Sequence, residues 1–157
     1  MLEVGSKAPE FSLIDTNREV KTLDDFKGKK TVIAFFPAAF SSTCEQEMCS
    51  FRDSMAELNN LDAHVVGISV DGPFTNAAFV SRNNLMFPIL SDYRREAVHA
   101  YGITLENFAG LEGYNTAQRS VFILDKNGVV AFKWIADNPG IEPDYDLVKN
   151  ELSKIDV

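Results

Sequence analysis

Hydrophobic positions along this chain alternate between two kinds of run. Val32-Ile33-Ala34-Phe35-Phe36 is apolar at successive residues, the pattern of a central strand buried on both faces. From Cys44 to Asn59 the apolar residues Met48, Phe51, Met55 and Leu58 are spaced three, four and three apart, which predicts an amphipathic helix. Val65-Val66-Gly67-Ile68-Ser69-Val70 reads as a second buried strand, closed by Asp71-Gly72-Pro73. A helix follows over Phe74–Asn84, then a short extended segment at Phe87–Leu90, then a helix over Tyr93–Tyr101 ending near Gly102. Thr104 to Ala117 has weak periodicity and reads as a long surface loop. Ser120–Leu124, the turn Asp125-Lys126-Asn127-Gly128 and Val129–Ile135 carry the clearest hairpin signal. Pro143 opens a final amphipathic helix bearing Leu147, Val148, Leu152 and Ile155. At the start, Phe11–Leu13 and Glu19–Lys21 flank Asp15-Thr16-Asn17 as a short hairpin, and Thr22 or Asp24 begins one helical turn before Gly28.

Strand, helix, strand, helix, antiparallel hairpin and closing helix make an α/β fold, a mixed central sheet flanked by helices. With 157 residues and no repeat or linker, residues 1–157 form a single domain. A net charge of −8 without a basic cluster argues against nucleic acid as a partner. No apolar run approaches the ~18 residues of a membrane span, and the N-terminus lacks a signal-peptide pattern, so the expected location is cytoplasmic.

Both cysteines fall in one stretch, Phe35-Phe36-Pro37-Ala38-Ala39-Phe40-Ser41-Ser42-Thr43-Cys44-Glu45-Gln46-Glu47-Met48-Cys49. In a reducing compartment two close cysteines point to catalysis or metal binding rather than a disulfide framework. Metal binding needs more ligands, and His64 and His99 supply no pattern, so no metal site is expected. Ser42 with Glu45, or Thr43 with Gln46, has capping-box spacing, and either puts Cys44 in a first helical turn. Its place on the Met48 face implies a sulfur turned inward and partly exposed. Unpaired N–H groups and the positive dipole end at a helix start favour an anion there. A free thiol with pKa near 8.5 is about 3% ionised at pH 7, so ionisation alone accelerates it at most about thirty-fold. Stronger catalysis requires donors aimed at the leaving atom. Ser41, the main-chain amides of residues 40–44 and a distant arginine are the candidates. Cys44 and Cys49 in an ideal helix have Cα atoms about 8.6 Å apart, and a disulfide tolerates at most ~7 Å. The two can bond only if the first turns unwind.

Pro37-x-x-x-Ser41-x-x-Cys44 resembles the active-site signature of peroxiredoxins, with serine where threonine is commoner. Glu47 stands at the family's glutamate, and Arg119 in Gln118-Arg119-Ser120-Val121-Phe122-Ile123-Leu124-Asp125 resembles its second active-site arginine. Phe87-Pro88-Ile89-Leu90-Ser91-Asp92 and Tyr101-Gly102-Ile103 extend the likeness over nearly the whole chain. A cysteine five residues after the first is similar to the Q subfamily, the bacterioferritin-comigratory, atypical two-cysteine type. The resemblance implies a thioredoxin-like mixed sheet with an N-terminal β-hairpin extension, and an antioxidant peroxidase acting on hydrogen peroxide and alkyl hydroperoxides. Cys44 would form a sulfenic acid, Cys49 would resolve it as an intramolecular disulfide, and thioredoxin or a similar dithiol would recycle the enzyme. Ser41 would hold peroxide and thiolate, Pro37 would shield the thiolate, and Arg119, oriented by Glu47, would stabilise charge. The resemblance implies no metal or organic cofactor, and the family forms monomers and homodimers. A one-cysteine mechanism with an external thiol, and a peroxide-sensing redox switch, are the alternatives.

Overall fold

The computed structural model describes residues 2–155. Its first hairpin pairs Ser12–Ile14 (β1) with Val20–Thr22 (β2), and the Asp15 carboxylate closes the turn by accepting from the N–H groups of Asn17 and Glu19. A 3-10 turn at Leu23–Phe26 leads into Lys30–Phe35 (β3), buried at every position. Next come the helices Ser42–Asp53 (α1) and Met55–Asn60 (α2), strand Ala63–Ser69 (β4), helix Pro73–Asn83 (α3) and strand Ile89–Ser91 (β5). A short helix Glu96–Ala100 (α4) precedes the small pair Thr104–Leu105 (β6) and Thr116–Ala117 (β7). Ser120–Leu124 (β8), Val130–Ile135 (β9) and Tyr145–Ser153 (α5) complete the order.

Among the described residues seven strands form one mixed sheet in the order β2-β1-β5-β4-β3-β8-β9, with β3 parallel to β4 and antiparallel to β8. The N-terminal hairpin is joined to it through Ile14 opposite Ser91. Alternation along β3 divides the core. Ile33 and Phe35 face Tyr101, Phe122 and Val98, while Val32, Ala34 and the following Phe36 face Met48, Phe51, Phe79, Val148 and Leu152. Gly67 of β4 is where the second layer comes closest: a Cβ there would lie 2.5 Å from Ile89 Cδ1 and 3.4 Å from Met48 Sδ. Helix α1 can therefore sit low on the sheet. Among the described residues no helix is long and apolar enough to cross a membrane.

Five sequence expectations change. The single helix expected over Cys44–Asn59 is broken at Ser54, whose N–H is shared between Ser50 O and Phe51 O. Its apolar stripe nonetheless continues to the buried Leu58. Neither capping pair forms, because α1 starts directly after Ser41 with no side-chain cap. The loop expected at Thr104–Ala117 is a β6–β7 hairpin, folded by the Phe108 N–H to Tyr114 O bond and the packing of those two rings. Two-residue strands are too short to show a period. Finally, α4 is shorter than Tyr93–Tyr101. Arg95 takes a left-handed φ of 61°, and the Asp92 carboxylate accepts from the N–H groups of Ala97 and Val98, fixing the start of the helix. Helix α5 likewise opens after the Asp144 cap rather than at Pro143, leaving Leu147 exposed.

Candidate active site

Parallel strands β3 and β4 deliver their carboxyl ends to one place, where open α/β sheets gather their chemistry. Phe36 still bonds to Ile68 O, and the buried Pro37 then takes the chain out of the sheet. The turn that follows is held by a residue of the neighbouring strand's loop: Asp71 Oδ2 accepts from Ala39 N–H at 2.7 Å. Phe40 adopts a left-handed φ of 69°, with its ring against Phe79 and beneath the Arg82 guanidinium. Ser41 accepts Glu45 N–H through its carbonyl, and its hydroxyl makes no capping bond. Cys44 then lies in the first turn of α1, as its sequence position predicts. It is fully buried rather than partly exposed.

The sulfur's partner comes from the other neighbour of β3. Arg119 immediately precedes β8, pinned by Ala136 N–H to its own carbonyl and by Gln118 N–H to Ile103 O. Its guanidinium is 1% exposed and distributes its donors over three groups. Nη2 donates to Cys44 Sγ at 3.2 Å and to Pro139 O at 2.9 Å, Nη1 to Glu47 Oε1 at 2.8 Å, and Nε to Pro139 O at 3.2 Å. Cys44 and Glu47, three residues apart on α1, thus present adjacent acceptors to one planar fork. Burial works against the Arg119 cation, but Glu47 and Cys44 outweigh it and hold its pKa above the usual value.

Glu47 is fully buried where a solvated helix face would leave it exposed. Burial pushes its carboxyl up to about pKa 7 against the opposing pull of Arg119, and Oε2 has no hydrogen-bond partner among the described residues. Cys49 is half-buried, its Sγ donating to Asn83 Oδ1 at 3.5 Å. Both thiols are free and α1 runs unbroken past them. A rotation of about 140° separates the two positions around the helix.

Two contributors escaped the sequence reading. Asp71 had a signal, an acidic residue at the carboxyl end of a parallel strand, but nothing tied it to Ala39. Pro139 acts through its main-chain carbonyl, which no side-chain pattern can advertise. Taken together, the site holds a sulfur with a fixed cation on one side and a helix start beneath it, an arrangement that stabilises negative charge developing beside the sulfur.

The AhpC/TSA family profile matches residues 4–133. Alkyl hydroperoxide reductase E of Mycobacterium tuberculosis is 36% identical over 158 residues, covering 99% of each chain. The chloroplastic peroxiredoxin Q of Gentiana triflora is 36% identical over 126 residues, 80% of this chain and 56% of its own. Among solved structures, peroxidoxin BcpB from Mycobacterium tuberculosis superposes with a TM-score of 0.87 over 100% of both chains at 24% identity, a likeness of fold. The chain belongs to the AhpC/TSA family, the peroxiredoxins, and is a thiol-dependent peroxidase that takes a peroxide as substrate and a thiol as reductant.

Proposed function

We infer that Cys44 is the peroxide-reducing nucleophile and Cys49 its resolving partner. One observation carries the reading: the Arg119 guanidinium donates to the Cys44 sulfur at 3.2 Å inside the core. The Cys44 thiolate attacks one peroxide oxygen, a S–O bond forms as the O–O bond breaks, and the second oxygen leaves as water or alcohol after taking a proton. Arg119 stabilises the sulfur anion and the charge spreading over the two oxygens, and Glu47 holds the guanidinium in plane. Ser41 offers its uncommitted hydroxyl to the peroxide, and Pro37 keeps bulk water from the sulfur. Hydrogen peroxide and alkyl hydroperoxides both fit these contacts, and the likeness to a mycobacterial alkyl hydroperoxide reductase supports the second class.

The Cys44 sulfenic acid is then attacked by Cys49, a disulfide forms and water leaves. Thioredoxin or a similar dithiol returns both thiols in the cytoplasm, to a one-domain chain of residues 1–157 working as a monomer or homodimer.

Rapid mixing with peroxide, followed by Trp134 fluorescence and by mass analysis, tests the assignment. Cys44→Ser should abolish peroxide consumption. Cys49→Ser should consume one equivalent and then fail to recycle with thioredoxin. If Cys44 in the native chain oxidises no faster than a free thiol, the assignment is wrong. If Cys49→Ser turns over normally, an external thiol resolves Cys44 instead.

A further inference from the structure

Helix α1 is fastened to the rest of the molecule by one residue that the peroxidase chemistry leaves unexplained. Asn83, the last residue of α3, reaches all three turns of α1. Its Oδ1 accepts from Cys49 Sγ at 3.5 Å, its Nδ2 donates to Glu45 Oε1 at 3.4 Å, and its main-chain carbonyl accepts from Arg52 Nη1 at 2.6 Å. A second bond from Nδ2 to Phe79 O at 3.1 Å, within its own helix, fixes the orientation of the amide. Arg82 beside it adds a 3.6 Å ion pair to the same Glu45 oxygen and lies over the Phe40 ring of the preceding turn.

These contacts stand in the way of disulfide formation. Helical geometry keeps Cys44 and Cys49 too far apart to bond, so the segment from Ser42 to Cys49 must unwind before the sulfurs can meet. Unwinding moves Glu45 and Cys49 together, and Asn83 holds both. We propose that Asn83 is a positioning residue that latches α1 in its helical form and so sets the rate at which the Cys44 sulfenic acid is resolved. The inference rests on the reading of Cys49 as the resolving thiol. In that step the Cys49 sulfur attacks the Cys44 sulfur, the S–S bond forms, the S–O bond breaks, and the hydroxyl leaves as water with the Cys49 proton. While the latch is closed, the sulfenic acid stays in the peroxide site, where a second peroxide converts it irreversibly to sulfinic acid with release of water or alcohol. A tight latch therefore makes the enzyme more sensitive to excess peroxide, and a loose one protects it.

Asn83→Ala removes the side-chain bonds and keeps the carbonyl that receives Arg52. The expected result is disulfide formation about three- to tenfold faster, the weight of one net hydrogen bond. The peroxide concentration that yields half sulfinic acid should rise by a similar factor, and the first reaction of Cys44 with peroxide should keep its rate. Hydrogen exchange at the α1 amides should quicken in the reduced protein. Asn83→Asp keeps an acceptor for Cys49 but sets a carboxylate against Glu45, so it should also resolve fast. Adding Glu45→Gln to it restores a donor–acceptor pair in reversed order and should bring the rate back toward that of the native chain. Disulfide formation at the native rate or slower in both single variants overturns the latch alone. A native chain that consumes peroxide and never forms a Cys44–Cys49 bond overturns both the latch and the resolving role of Cys49.

Discussion

Arg119 Nη2 stands 3.2 Å from Cys44 Sγ although 75 residues separate them along the chain. One comes from the corner leading into β8 and the other from the first turn of α1, and the pairing of β3 with both β4 and β8 brings them together. The guanidinium is shared with Glu47 and Pro139 O, so it cannot swing away from the sulfur without breaking bonds inside the core.

Replacing Arg119 tests that relationship in two separable ways. Arg119→Met should slow the peroxide step by roughly 10²- to 10³-fold, the usual weight of one preorganised donor. It should also destabilise the fold by about 3–5 kcal/mol, because Glu47 is left without its partner. Arg119→Met with Glu47→Leu should recover most of the stability and none of the rate. Urea unfolding read beside stopped-flow kinetics checks both, and a double variant that regains the rate would remove Arg119 from the chemistry.

Glu47 should make stability depend on pH. Its folded-state pKa of about 7 lies above the ordinary 4.5. A raised value means that the stability it contributes is complete below about pH 4.5 and is lost as the pH rises to 7. The loss from this group is on the order of 3 kcal/mol. Glu47→Gln should flatten that part of the curve. Denaturant midpoints at pH 5 and pH 7.5 decide the matter: parallel trends in the two proteins would mean that Glu47 does not titrate there.

Oxidation should cost helix. If Cys44 and Cys49 bond, the turns from Ser42 to Cys49 unwind, and the circular dichroism at 222 nm should weaken and recover on reduction. A disulfide proven by mass, with an unchanged spectrum, would contradict the geometry.

Gly67→Ala should destabilise by about 1–3 kcal/mol through overpacking, since its Cβ would meet Ile89 Cδ1 at 2.5 Å. Ile89→Val removes that carbon. The double variant should therefore melt above Gly67→Ala alone, and a lower melting temperature would show that backbone rather than side chain is the obstacle.

Asp71→Ala should loosen the turn before Cys44 by releasing Ala39 N–H, slowing the peroxide step roughly tenfold. Asp71→Asn keeps an oxygen acceptor and should lie between. Equal rates in all three proteins would make the bond incidental.

What the amino-acid order determined by itself is everything that depends on neighbours a few residues apart. The buried strands β3 and β4, the β8–β9 hairpin, the stripe of Met48, Phe51 and Leu58, and the placement of Cys44 in a first helical turn follow from local periodicity and turn chemistry. So does the steric barrier between Cys44 and Cys49, which needs only the rise and twist of a helix. Tertiary structure alone decided how deeply Cys44 and Glu47 are buried, because exposure depends on which distant layer covers a helix face. It also decided that Asp71 holds Ala39, that Pro139 lends a carbonyl to Arg119, and that Asn83 grips α1, contacts spanning 20 to 38 residues. Hydrogen bonds of that reach leave no period in the chain. They exist only once the sheet has set the ends of β3, β4 and β8 side by side.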